Sequence, residues 1–347
     1  MQRHRNCSPV CISQPCLHAS FQVFALLHSG VISDLPQNAG ATEAYELNLC
    51  AFWPQLSQAS AKLPENTLAS FEAAIADGVE GIESDVHMSR DGVVIMFHDY
   101  TLTRTTNFTG NIKDSNYYGV GGMQHARTKK EPQQPIPTLP EALALLMNPE
   151  NMHVHFNIDV KPSNDTETLF TAMHTAISAF PEWETALAPR ILLGLWHPKD
   201  LGPAKSILPY CKRCSISFSL WITRTYMWDD VECISLWQNA LVSREGQKLL
   251  REAKATGKKV LAYTVNEPAH MIEMVRYGVD GIITDYPNRY LALRSGLEKN
   301  YETTILQSSR RYLWLNISFS WLFVTFVQRF SEFALQKLVE PFPAVVT

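Results

Sequence analysis

The stretch Gly81–Asp99 reads GIESDVHMSRDGVVIMFHD. It divides into two short strands and a tight turn. The first strand, Gly81–Met88, carries Glu83, Asp85 and His87 at alternate positions, and a period of two puts all three on one face. Asp91-Gly92 closes the turn Ser89–Gly92, because that pair adopts the conformations a reversal needs. The second strand, Val93–Phe97, is apolar and delivers His98 and Asp99 at its end. Two carboxylates side by side with a histidine arriving nearby point to a hard divalent cation and a proton carrier. A solvated edge hairpin with surface charges is the plainer alternative that the same letters allow.

Outward from this hairpin the chain alternates strands and helices. Upstream, Asn66 or Thr67 caps a helix with Leu68, Phe71 and Ile75 at helical spacing, and Gly78 ends it. Downstream, Thr101–Gln134 is polar and glycine-bearing and reads as a long loop over the strand ends. Thr138 then caps a helix over Pro140–Met147. Strands are expected at His153–Lys161, Arg190–Trp196, Ser215–Leu220, Ile234–Val242, Lys259–Val265 and Gly281–Thr284. Helices are expected at Thr166–Ser178, Lys199–Ile207, Arg244–Thr256, Pro268–Tyr277 and Pro287–Leu297. Repeated βα units over some 250 residues predict an α/β fold, a (β/α)8 TIM-type barrel. A doubly wound open sheet is the structural alternative, and no glycine-rich nucleotide fingerprint follows any strand to favour it.

Composition narrows the class. The 347 residues are 46% hydrophobic and 18% charged, as in a globular protein, and the net charge of −4 gives no reason to expect nucleic acid. The seven cysteines are irregularly spaced, and Cys211-x-x-Cys214 lacks the second pair that a zinc site needs. The absence of a disulfide framework favours a reducing, intracellular compartment. Three segments follow. Residues 1–53 read as an unstructured extension or the product of a displaced gene start. Residues 54–297 are the barrel, and residues 298–347 form a hydrophobic C-terminal segment. In the last, Arg310-Arg311 precede YLWLNISFSWLFVTFV, which is shorter than the ~20 residues of a spanning helix. Its aromatic residues and flanking arginines predict a membrane-associating helix, on the cytosolic face of an internal membrane or on a lipid droplet. A helix packed on the barrel is the other reading.

In such a barrel the chemistry sits at the C-terminal ends of the strands. Glu83 and Asp85, then His98, then Asn157, Asp159 and Lys161 of HVHFNIDVK all fall there. Asn266 and Asp285 follow two later strands. Buried charges must pair or bind metal, so apolar strands ending in ionisable groups are informative. Glu83, Asp85 and Asp159 together suit Ca²⁺ or Mg²⁺, and Lys161 suits an anionic oxygen.

Pro64-Glu65-Asn66-Thr67, GIESDV, DGVVIMFHD with LTRTTNFTG, IPTLPEAL, NIDVK, YTVN and GIITDYP occur in that order. This series resembles the glycerophosphodiester phosphodiesterase family over about residues 54–295. With its hydrophobic C-terminal segment, the layout looks most like the phosphatidylglycerol phospholipase C branch. The resemblance implies a phosphoric diester hydrolase of lipid metabolism. It would cleave a glycerophospholipid at a membrane surface, phosphatidylglycerol first, to diacylglycerol and glycerol phosphate. Soluble glycerophosphodiesters are the alternative substrates. It also implies His98 as a catalytic acid–base group and Glu83, Asp85 and Asp159 as metal ligands for Mg²⁺ or Ca²⁺. Lys161, Glu65 and Asn266 would be substrate contacts. Asp159 is one methylene shorter than the glutamate more usual in the family.

One departure stands out. The family carries a His-Arg pair at the end of the first strand, and the corresponding positions here hold Leu56 and Ser57. The first strand is correspondingly incomplete. A displaced exon boundary just before Gln58 explains this, and a catalytically inactive metal- or lipid-binding relative is the other explanation.

Overall fold

A computed structural model describes residues 56–57, 60–307 and 319–343, with residues 310, 313 and 316 between them. The extension expected over residues 1–53 lies outside the described residues.

Among the described residues, nine strands form one sheet. They are β1 (Leu56–Ser57), β2 (Gly81–Met88), β3 (Val94–Met96), β4 (His155–Val160), β5 (Ile191–Leu195), β6 (Lys212–Ser217), β7 (Cys233–Trp237), β8 (Lys259–Tyr263) and β9 (Gly281–Thr284). Neighbours from β4 to β9 pair in parallel and in chain order. The ring closes through β1, where Leu56 registers with both Ile283 of β9 and Gly81 of β2. Two residues of β1 thus complete a (β/α)8 barrel whose first strand is short. β3 lies outside the ring, antiparallel to the upper part of β2, as the hairpin predicts.

Alternation along each strand builds two layers. Ile82, Val86, Phe156, Ile158, Leu193 and Leu195 face outward and pack against the helices in one large core. Leu192, Cys214, Cys233, Leu261 and Ile283 fill the middle of the ring. The covering helices are α1 (Leu68–Asp77), α2 (Leu139–Leu146), α3 (Thr166–Ser178), α4 (Leu201–Ile207), α5 (Arg244–Ala255), α6 (Pro268–Tyr277), α7 (Pro287–Lys299) and α8 (Tyr301–Gln307). Local chemistry sets their ends. The Thr67 side chain accepts from the Ser70 amide and caps α1, while Gly78 terminates it at φ +96°, in the left-handed region that glycine enters without strain. Thr138 and Glu141 form a capping box at the start of α2.

Two expectations are corrected. The strand expected at Ile234–Val242 stops at Trp237, and Gln238–Val242 is a turn of helix leading into α5. The loop after β3 is not merely polar. Ile112, Tyr117, Met123 and Ala126 fold back on Ile95 and Phe97 and form a small core of their own.

The C-terminal helix α9 (Trp321–Ala334) packs one face on the barrel, burying Val324, Val327, Ser331 and Glu332. Ser219, just beyond β6, donates to Glu332 Oε1 at 2.5 Å, and Phe323 meets the Trp237 ring at the end of β7. The opposite face leaves Trp321, Leu322, Phe326 and Phe333 exposed. Among the described residues no helix is long and apolar enough to cross a membrane. After α9 the chain lays Phe342 against the rings of His197, Trp221 and Tyr226, and His197 Nε2 donates to the Glu340 carbonyl at 2.9 Å.

Beneath this contact Asp200 is almost fully buried. Its Oδ1 accepts from the Thr166 hydroxyl at 2.5 Å, tying α3 to α4, and its Oδ2 has no partner among the described residues. Burial lifts its pKa to about 6, the Thr166 hydrogen bond only partly opposing. An acid whose folded pKa is raised favours the fold below its unfolded pKa and loses that contribution as pH rises through the folded value. The penalty at neutral pH is about 3 kcal/mol. Asp200→Asn should therefore gain stability over the wild type as pH rises from about 4 to about 6, with a constant difference above that. Thermal unfolding across this range checks it, and a pH-independent difference would refute the assignment.

Candidate active site

The register between β2 and β4 creates the site. Asp85 stands directly opposite Asp159, and Glu83 opposite Asn157, one pair deeper. All four side chains line a cavity of about 560 Å³ at the C-terminal ends of the strands. Oxygens of Glu83, Asp85 and Asp159 lie within 4.8 Å of one another. Gly194 of β5 registers beside Asp159 and leaves room here, since a Cβ would meet the Ile216 side chain and crowd Asn157 Oδ1. Both polar atoms of the buried Asn157 amide lack a protein partner among the described residues.

Lys161 follows Asp159 by two residues and points into the same interior. Its Nζ lies 2.5 Å from Asp85 Oδ1 and 3.1 Å from Asp159 Oδ2. Each aspartate is also gripped by a neutral donor. Asn66 Nδ2 donates to Asp85 Oδ2 at 2.9 Å, and the Trp196 indole donates to Asp159 Oδ1 at 2.7 Å. Burial opposes charge on Asp85, but Lys161 and His98 outweigh it and hold its carboxyl below the usual range. The same burial, reinforced by the Asp85 and Asp159 charges, pushes Glu83 well up. Lys161 keeps its proton far above neutrality, because the two aspartates overcome its desolvation.

His98 stands at the mouth. Its Nδ1 pairs with Asp99 Oδ1 at 2.9 Å, and Arg104 holds Asp99 through Nε at 2.7 Å and Nη2 at 2.9 Å. Arg104 also bridges to Glu65 at 2.5 Å and 3.2 Å. The Lys161 charge and burial push the imidazolium down, but Asp85, Asp99 and Glu65 prevail, so its pKa is raised. At His87 desolvation outweighs the support of the His98 carbonyl and the Asp85 charge. The ring is buried with Nε2 on the His98 carbonyl at 3.2 Å, and desolvation lowers its pKa to about 4.

The opposite wall is apolar. Trp196, Ile216, Phe218, Tyr263 and Ile283 line it. Their rings form a continuous cluster, with centroids 5.6 Å apart for Trp196–Phe218, 5.7 Å for Phe218–Tyr263 and 5.9 Å for Phe218–Trp237.

Comparison with known proteins decides the class. Residues 59–289 match the family described as the glycerophosphoryl diester phosphodiesterase family. The chain belongs to that family. A glycerophosphodiester phosphodiesterase of Caldanaerobacter subterraneus is 28% identical over 241 residues, covering 67% of this chain and 93% of the relative. One of Bacillus altitudinis is 25% identical over 237 residues, covering 68% and 94%. A phosphodiesterase of Oleispira antarctica, solved with the product sn-glycerol-3-phosphate, superposes with a TM-score of 0.59 at 26% identity. That match covers 69% of this chain and 96% of that structure.

As a member of the family, the chain is a phosphoric diester hydrolase, and its carboxylates fit the family's divalent cation. Three oxygen donors of this spacing, with an orphaned amide beside them, are the donor set of a hard ion. Of the seven residues singled out from sequence, six line the one cavity: Glu65, Glu83, Asp85, His98, Asp159 and Lys161. Asn266 does not. Its Nδ2 donates to Asp285 Oδ2 at 2.7 Å and its Oδ1 accepts from the Asp285 amide at 2.9 Å, so it holds Asp285, which does line the cavity. Ser60 donates to the other Asp285 oxygen at 2.5 Å. Sequence reasoning missed Asn66, Arg104 and Trp196 as site residues. Asn66 and Arg104 sit inside the quoted motifs PENT and LTRTTNFTG, which was a usable signal, and Trp196 had none.

Glu83→Ala with Asp85→Ala should abolish stoichiometric Mg²⁺ and Ca²⁺ binding; retained binding by calorimetry would contradict the ligand set. Asp99→Asn should lower the His98 pKa, since it removes the carboxylate that stabilises the imidazolium. Titrating the His98 ring by NMR tests this, and an unchanged or higher value rejects the role of Asp99.

Proposed function

We propose that this enzyme hydrolyses a glycerophospholipid, with phosphatidylglycerol as the first substrate to test and diacylglycerol and glycerol phosphate as products. The two-sided cavity carries this reading. Carboxylates, Lys161 and His98 form one wall, and Trp196, Phe218 and Tyr263 the other. The aromatic wall runs on through Trp237 to Phe323 of α9, whose outer face exposes Trp321, Leu322, Phe326 and Phe333. An exposed apolar face on a helix packed against the strand ends suits a substrate presented by a membrane.

The chemistry divides between the walls. Glu83, Asp85 and Asp159 would hold Mg²⁺ or Ca²⁺, which supplies charge neutralisation for the phosphate oxygens when bound. Lys161 contacts a phosphate oxygen. His98, fixed by Asp99, takes a proton from or gives one to an alcohol oxygen at phosphorus. The apolar wall takes the acylated glycerol. A second reading, hydrolysis of soluble glycerophosphodiesters, is supported by the Caldanaerobacter relative, which is named a glycerophosphodiester phosphodiesterase.

The test is release of diacylglycerol from phosphatidylglycerol vesicles with Mg²⁺ or Ca²⁺, beside glycerophosphoglycerol as the soluble substrate. His98→Asn should reduce the rate ~10²–10⁴-fold. A chain with Leu56→His and Ser57→Arg, restoring the family pair, should be faster by a similar factor. Turnover of the soluble diester alone would replace the lipid reading with the second one.

A further inference from the structure

We propose that Lys161 is a built-in counter-cation that a divalent metal displaces from Asp85 and Asp159, freeing its ammonium for the substrate phosphate. This inference rests on the metal reading of the triad.

Geometry sets the competition. Lys161 Nζ bridges Asp85 Oδ1 and Asp159 Oδ2 at 2.5 and 3.1 Å. The other oxygen of each aspartate is already held by a neutral donor, Asn66 Nδ2 at 2.9 Å and Trp196 Nε1 at 2.7 Å. Asp85 and Asp159, with Glu83, would hold the cation. An ammonium and a divalent ion on the same two carboxylates repel strongly in a buried site, so the two compete. The asparagine and indole keep both carboxylates in place while the cations exchange. Lys161 can move because its four-carbon stem is flexible, whereas Asp85 and Asp159 sit on paired strands. Its Nζ already lies 6.0 Å from the centre of the Trp196 ring, whose face offers a resting place along the cavity wall.

The consequence is coupling. Metal and phosphate should bind with positive cooperativity, because the metal releases the cation that receives the phosphate. Linkage makes the effect reciprocal.

Calorimetric titration of the full chain with Mg²⁺ and with Ca²⁺ tests the proposal. Lys161→Met removes the competitor and should tighten cation binding about tenfold. Lys161→Arg keeps the charge and adds a bidentate grip on carboxylates, so it should weaken cation binding. In the wild type the cation should tighten binding of sn-glycerol-3-phosphate more than it does in Lys161→Met. Equal or weaker cation binding by Lys161→Met overturns the proposal. If that variant does not fold by circular dichroism, unchanged or tighter binding by Lys161→Arg overturns it instead. No cation binding by the wild type rejects both the proposal and the metal reading. Cation competition as expected, with no glycerophosphodiester hydrolysed, upholds Lys161 and rejects the function.

Discussion

An ammonium held between two buried aspartates is the interaction on which the site depends. Three carboxylates converge within a few ångströms at the top of an otherwise apolar barrel. Such charges are costly to bury without compensation, and the cost is met in different ways. Asp85 is held toward its charged form by Lys161, His98 and the Asn66 amide, which outweigh its burial. Glu83 has less support, and its pKa rises accordingly. A divalent ion would remove that imbalance by serving all three. The site is thus unsymmetrical in charge before any substrate enters.

The arrangement follows from strand register, not from any single motif. Asp85 faces Asp159 because β2 and β4 pair in parallel with Gly81 opposite His155. A slip of one residue would turn every carboxylate toward the helices. The outer core fixes the register, since Ile82, Val86, Phe156 and Ile158 must all face outward together. Core packing on one side of the sheet therefore determines the chemistry on the other.

This explains what the sequence disclosed. Strand alternation is a local rule, so the shared faces of Glu83 and Asp85 and of Asp159 and Lys161 could be read directly. Helix caps are equally local, and Thr67 and Thr138 act as expected. Contacts between distant elements were not legible. Asn66 was read as a cap candidate, yet its amide reaches Asp85 and its backbone adopts a positive φ of 55°. Trp196 and Phe218 stood out only as members of expected strands, because nothing local separates an aromatic in a core from one on a cavity wall. Asn266 carries a polar side chain at a strand end, like the true lining residues, but its neighbour Asp285 uses it as a support. The small core under the β3 loop was hidden because its apolar residues are scattered among polar ones without a period.

The C-terminal segment is fastened to the barrel by polar contacts. Arg310 pairs with the fully buried Glu273 of α6 at 2.5 Å, Ser219 anchors Glu332, and His197 anchors Glu340. Each contact gives a buried polar group its partner, which resists detachment more specifically than apolar contact alone. His197 follows Trp196, the residue that grips Asp159, so the last anchor lies one residue from the site. Of these contacts the Ser219–Glu332 pair lies on α9 itself, whose inner face meets the strand ends while Trp321, Phe326 and Phe333 face outward. A helix that served only to cover the barrel would have no physical need for large aromatics on its far side.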